Sequence, residues 1–134
     1  MARATVVDQH RALLIERGAG ADVGSWALPG GHVDADEPPA VAAARELAEE
    51  TGLSVAPADL SLLDTGFLEF ESGHTMVSIN YAAPLRVASG TLEAGSDAVT
   101  AAFWSRDRIL EEPPLLRASG VEQVLEVIDE FGRP

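Results

Sequence analysis

The chain has 134 residues, is 46% hydrophobic and contains no cysteine, which suits a single domain (1–134) and leaves no disulfide or thiolate metal site. Its 22 acidic residues outnumber 9 basic ones, all arginine, for a net charge of −13, which argues against direct binding to nucleic acid. No apolar run reaches the roughly 18 residues of a membrane span, so no membrane association is expected. The opening MARATVVDQHRALLIERG lacks an apolar segment followed by a small-residue cleavage site, and a cytoplasmic protein is expected.

In chain order, Thr5–Val7 and Arg11–Arg17 read as strands of a tight hairpin across Asp8-Gln9-His10. Gly18–Ser25 is small and polar, a loop. Trp26–Val33 is a short extended segment in which Pro29-Gly30-Gly31 predicts a turn. A helix is predicted from about Pro38 to Thr51, with Asp36 as N-cap, prolines in the first turn and Gly52 as the stop. Ser61–Glu71 and Thr75–Leu85 predict two further strands. In the second, Val77, Ile79 and Tyr81 alternate with Ser78 and Asn80, so the apolar set is expected inside. Ser89–Asp97 reads as a loop, Val99–Trp104 as a strand, and the C-terminal helix carries Val121, Val124, Leu125, Ile128 and Phe131 on one stripe. Together these predict an α/β fold, a mixed sheet packed between helices.

The first helix poses an electrostatic problem. Ala40, Val41, Ala44, Leu47, Ala48 and Thr51 project to one side and Glu46, Glu49 and Glu50 to the other, at i, i+3 and i+4. Neighbouring like charges cost a helix a few tenths of a kcal/mol each, and Arg45 alone does not neutralise three carboxylates. A solvated acidic face tolerates this arrangement. A hard divalent cation such as Mg²⁺ or Mn²⁺, which prefers oxygen ligands, makes use of it.

These residues also carry a family pattern. Gly31, Glu37, Arg45, Glu46, Leu47, Glu49, Glu50, Gly52 and Leu53 fill every fixed position of GX5EX7REUXEEXGU, where U is a bulky aliphatic residue. At ordinary residue frequencies one start position does so by chance roughly once in 10⁹ to 10¹⁰ tries. On this box the chain resembles the Nudix hydrolases, and the flanking WALPGG, the late Phe103-Trp104 and the strand order are similar to the family as well. The resemblance implies an α/β/α sandwich and a metal-dependent pyrophosphohydrolase acting on a nucleoside diphosphate linked to a further group.

It also implies roles for particular residues. Glu46, Glu49 and Glu50, with the carbonyl of Gly30, would hold the metal, which would neutralise phosphate and activate a water. Arg45 would pair with Glu37 and orient Glu46. The general base stays open between Glu49, Glu50 and an acid on the late loop, where Asp97 is the nearest match and Glu93 the second. Arg17 stands where family members often bind phosphate or is an exposed strand-end arginine, and Trp26 would pack in the core or line a base pocket. The window in which subfamilies carry substrate markers reads Leu68–Glu71, with an aromatic Phe70 but neither the proline of ADP-ribose hydrolases nor the tyrosine of dinucleoside polyphosphate hydrolases. The short chain is closest in shape to MutT-like enzymes acting on nucleoside triphosphates. An ADP-ribose or nucleotide-sugar pyrophosphatase and a catalytically silent ligand-sensing domain are the alternatives. The expected partner is a small nucleotide, and a homodimer is compatible with the sequence. Gly18–Ser25 and Ser89–Asp97 are candidate loops to close over it.

Overall fold

The structure, a computed structural model, describes residues 1–18, 23–112 and 118–131. Strands β1 (Ala2–Asp8) and β2 (Arg11–Arg17) form the expected hairpin, with Val7 opposite Ala12 and Asp8 opposite Arg11. Beyond that short pairing the two strands diverge. The segment after β2 fills the gap between them: β3 (Trp26–Ala27) pairs with the end of β2, and β4 (Gly30–Gly31) pairs with the start of β1. Gly30-Gly31 is therefore strand and not the predicted turn, because its pairing partners Ala2 and Arg3 lie far away in sequence. Residues 19–22 of the preceding loop lie outside the described residues.

The other edges are covered by β9 (Ala98–Ser105), antiparallel to β2, and by β7 (Thr75–Pro84), parallel to β1. β6 (Ser61–Glu69) completes a seven-stranded mixed sheet as its edge strand. β5 (Leu53–Ser54) and β8 (Ser89–Gly90) make a separate two-stranded ribbon.

Helix α1 (Pro39–Thr51) lies on one face of the sheet, while α2 (Arg106–Glu111) and α3 (Ala118–Phe131) lie on the other. Ala2, Ala4, Val6 and Leu13 pack under Ala42, Ala43 and Leu47 of α1. Ala12 and Leu14 pack against Trp104, Ile109, Val124 and Ile128 on the opposite face. Strands buried on both faces read as continuous apolar runs, which is why ALLI and TVV show no alternation. The C-terminal stripe forms as predicted at Val124 and Ile128, joined by the fully buried Val127. The side chain of Val121 lies outside the described residues. The short α2, capped by Ser105 Oγ accepting from Arg108 N–H at 3.1 Å, was not expected from periodicity because six residues make less than two turns.

Two predicted faces are corrected. In β7 it is Ser78 and Asn80 that are buried, at 4% and 1% exposure, whereas Val77 is 55% exposed. Asn80 is buried because its amide is satisfied by Arg3 and Asp64 on the flanking strands. In α1, Val41 is exposed and Glu50 is buried, so the carboxylates line one edge of the core-facing arc and do not oppose it.

Candidate active site

Helix α1 begins at Pro39 after Pro38, which provides the extended N-cap with no side-chain hydrogen bond. Asp36 is not the cap. It sits two residues earlier with φ of 63°, in a turn closed by Glu37 N–H donating to Asp34 C=O at 3.1 Å. That turn carries Glu37 back toward the helix. At the other end Gly52 is left-handed at φ of 77° and its N–H donates to Ala48 C=O at 3.0 Å, as the sequence predicts.

Arg45 is the hub of the site. Its Nε and Nη2 donate to the two oxygens of Glu37 at 2.9 and 3.1 Å, a bidentate pair of the planar kind that suits guanidinium. Nη1 reaches Glu46 at 3.1 Å and Glu49 at 3.4 Å, and Nη2 also donates to the His32 carbonyl at 3.2 Å. One arginine thus ties the loop before the helix to two of the three helix carboxylates. These carboxylates hold the guanidinium firmly protonated, Glu37 contributing most, and Glu37 in turn is held below the usual carboxylate range by Arg45.

The third carboxylate is different. Glu50 is 5% exposed and its Oε1 accepts from Gly30 N–H at 2.7 Å. Burial pushes its carboxyl up to about 7, the Gly30 N–H works against that, and the charge of Glu46 adds to it. Arg17 and Asp97 also act on Glu50 through their charges, the arginine lowering and the aspartate raising its pKa. They arrive together because Arg17 faces Ala98 across the β2–β9 ladder and Gly18 N–H donates to Asp97 C=O at 2.9 Å.

The β4 glycines make room for these groups. A Cβ on Gly31 would stand 2.5 Å from Glu46 Oε1, so a side chain there would push that carboxylate aside. The 89–97 loop is tied down at its centre. Glu93 N–H donates to Thr51 C=O at 2.8 Å and Gly95 N–H to Glu50 C=O at 3.2 Å, which caps carbonyls that the end of α1 leaves over.

The geometry therefore gathers Gly30, Arg45, Glu46, Glu49, Glu50, Arg17 and Asp97, and brings Glu93 in through its backbone. Two predicted site residues stand apart from this group. Trp26 packs on Trp104 with ring centroids 5.1 Å apart, as a wall of the core beneath α2 and α3. Phe70 lies in the turn between β6 and β7, 45% exposed, with its N–H donating to His74 C=O at 2.8 Å. Among the described residues no three acidic or histidine side chains already converge on one point at ligand distance, because Arg45 engages two of the glutamates and Gly30 the third. The oxygen-only donor set, the buried carboxylate and the glycine cradle beside Glu46 nonetheless fit a hard divalent ion.

Sequence reasoning passed over Arg3, Asp64 and Asn80. Arg3 Nε donates to Asn80 Oδ1 at 2.8 Å, and Asn80 Nδ2 donates to Asp64 Oδ1 at 2.7 Å. The signal available was a lone arginine between buried alanines at the start of a strand, Ala2-Arg3-Ala4.

A sheet between helices, with one helix edge of carboxylates laid against a glycine strand, defines the Nudix class. The sequence matches the NUDIX domain over residues 2–124, and the chain belongs to that family. It is 35% identical over 104 residues to a MutT-like protein of Streptomyces ambofaciens, covering 78% of this chain but 60% of that protein's length. Its fold matches the MutT NUDIX hydrolase of Burkholderia pseudomallei with a TM-score of 0.76 and 28% identity, over 92% of this chain and 95% of that one. It also matches a bifunctional NMN adenylyltransferase/ADP ribose pyrophosphatase of Francisella tularensis, solved with AMP and a manganese ion. There the TM-score is 0.77 and the identity 21%, over 96% of this chain and 40% of that one, a likeness of fold. Among the described residues no helix is long and apolar enough to cross a membrane.

Proposed function

We propose that this protein is a divalent-metal-dependent pyrophosphohydrolase that cleaves a nucleoside triphosphate or a related nucleotide, as a MutT-like enzyme. The observation that carries the reading is the folded box itself. Arg45 is locked to Glu37 while Glu46, Glu49 and Glu50 line one helix edge against Gly30 and Gly31. The relatives named MutT and MutT-like support the substrate class.

Glu46, Glu49 and Glu50, with the Gly30 carbonyl, would hold Mg²⁺ or Mn²⁺. The three glutamates share one helix edge, so side-chain rotation is enough to bring them together. When bound, the ion supplies charge neutralisation at the diphosphate and acidifies a coordinated water. The chain's own residues do the rest. Arg45, fixed by Glu37, limits where Glu46 and Glu49 point. Glu50, poised near neutrality by burial, is suited to hold or release a proton at Oε1 or Oε2, and Glu49 and Asp97 are the other acids near enough to compete for that role. Arg17, which already acts on Glu50 through its charge, offers a cation to an incoming phosphate in an acidic cleft.

The test is product release from nucleoside triphosphates (oxidised forms included), ADP-ribose, nucleotide sugars and dinucleoside polyphosphates with Mg²⁺ or Mn²⁺. Metal-dependent cleavage of a triphosphate, reduced at least about 100-fold in Glu50→Gln, is expected if Glu50 takes part in proton transfer or ligation. ADP-ribose as the fastest substrate would move the assignment to that subfamily. Binding without turnover of any compound would make the protein a ligand sensor.

A further inference from the structure

We propose that Arg3 is a specificity-determining residue that reads the base of the nucleotide, selecting a base edge with two adjacent hydrogen-bond acceptors. The inference rests on the nucleotide reading of the site. Arg3 lies directly opposite Gly30 in the β1–β4 ladder, and its side chain runs across the face where a Cβ on Gly30 would sit. Gly30 is the residue whose N–H holds Glu50. From there the guanidinium leads away from the carboxylates toward Asn80 on β7. With strands about 4.8 Å apart, Asn80 stands roughly 10 Å from Gly30, a separation suited to a base whose diphosphate sits at the carboxylates.

The anchoring of Arg3 leaves one end of it for a ligand. Its Nε is taken by Asn80 Oδ1, and Asn80 is itself fixed by Asp64 at 2.7 Å and Ser78 Oγ at 3.4 Å. Gly66, opposite Ser78, leaves space that a Cβ would fill at 2.7 Å from Ser78 Oγ, so the floor beside the arginine stays flat. Among the described residues neither Nη group of Arg3 has a hydrogen-bond partner, although the side chain is largely desolvated. An arginine kept only to neutralise Asp64 would face it directly. Here Asn80 bonds to both, Asp64 also acts on the guanidinium through its charge, and the hydrogen bond at Nε leaves the two Nη groups as a pair of donors.

Two parallel donors match two adjacent acceptors, found at O6 and N7 of guanine and at N3 and O2 of cytosine. Adenine has no such pair, since its N1 and N7 each lie beside the N6 amino donor, and uracil alternates acceptor and donor. The shared chemistry is the acceptor pair, and the measurement separates its two sources.

The experiment is kcat/KM of the intact protein with Mg²⁺ for GTP, CTP, ATP and UTP, in wild type, Arg3→Lys and Arg3→Met. A bidentate pair discriminates by about 1–3 kcal/mol, or roughly 5- to 150-fold. GTP or CTP is expected to exceed ATP and UTP by that factor, and the leader names the base. Arg3→Lys keeps the charge but loses the fork, and both variants should lower the leader by about that factor relative to ATP and UTP, so that the four values converge. Equal rates for all four in wild type, or an equal fall for all four in the variants, would overturn the proposal. The wild-type ranking decides alone if the variants do not fold. If wild type cleaves none of the four, the nucleoside triphosphate reading fails separately. Calorimetric binding of GDP, CDP, ADP and UDP then tests Arg3: the same ranking supports it, and no ranking overturns it.

Discussion

Among the single residues, Glu50 has the environment most at odds with its chemistry. A buried glutamate with one backbone donor is better accommodated as the neutral acid, and its carboxyl is pushed up to about 7. In the unfolded chain it returns to an ordinary glutamate value near 4.5. The folded state therefore binds the proton more tightly. The contribution to stability is fully present below about 4.5 and is lost as pH rises through about 7. In metal-free protein, melting temperature should fall over that window by more in wild type than in Glu50→Gln, which has nothing to titrate there. Identical slopes in the two proteins would mean that Glu50 is solvated like any surface carboxylate. The same reasoning explains why Glu50 was misplaced from the sequence. A helical wheel sorts residues by hydrophobicity, so a carboxylate that turns inward to a strand N–H is assigned to the solvent face. Asn80 was misjudged in the same way, since partners on β1 and β6 satisfy its amide.

Helix α1 is held at its start by the segment just before it and at its end by a loop distant in sequence, and this is what positions its carboxylates. Its start is tied through the Arg45–Glu37 pair and its end through Gly52 and the 89–97 loop. A Cβ on Gly52 would collide with the Thr91 carbonyl while also forcing a non-glycine residue to φ of 77°. Gly52→Ala should cost at least about 1–3 kcal/mol from the backbone conformation alone, read as a lower denaturation midpoint with an unchanged m-value. A cost of a few tenths would show that the loop retreats without resistance, and that the end of α1 is not clamped. The helix, its stop glycine and the Arg45–Glu37 pair were legible because the spacing that encodes them is local or fixed by the box. Gly30-Gly31 was read as a turn because its composition suits one, and only pairing with Ala2 and Arg3 makes it a strand. The clamp by Glu93 and Gly95 acts through backbone N–H groups, which carry no residue signature at all.

For the whole molecule, the net charge of −13 sets the terms on which the proposed anionic nucleotide would be met. The acidic surface repels such a ligand over about a Debye length, roughly 8–10 Å at physiological salt, so local cations must reverse the field at the site. Arg17 is proposed to supply part of that reversal and a bound divalent ion the rest. An ion that binds the folded state alone also stabilises it by mass action, about 2.7 kcal/mol at 100 times its Kd. For a chain of this size that corresponds to a rise in melting temperature on the order of 10 °C. Screening of −13 by any salt also stabilises the fold, so the comparison is Mg²⁺ against NaCl at equal ionic strength. The excess due to Mg²⁺ should disappear in Glu46→Gln and Glu50→Gln, and shrink as pH falls below about 7, where protons compete for Glu50. An equal rise with both salts, unchanged in the variants, would leave the carboxylate edge as a solvated acidic surface and remove the metal from the mechanism.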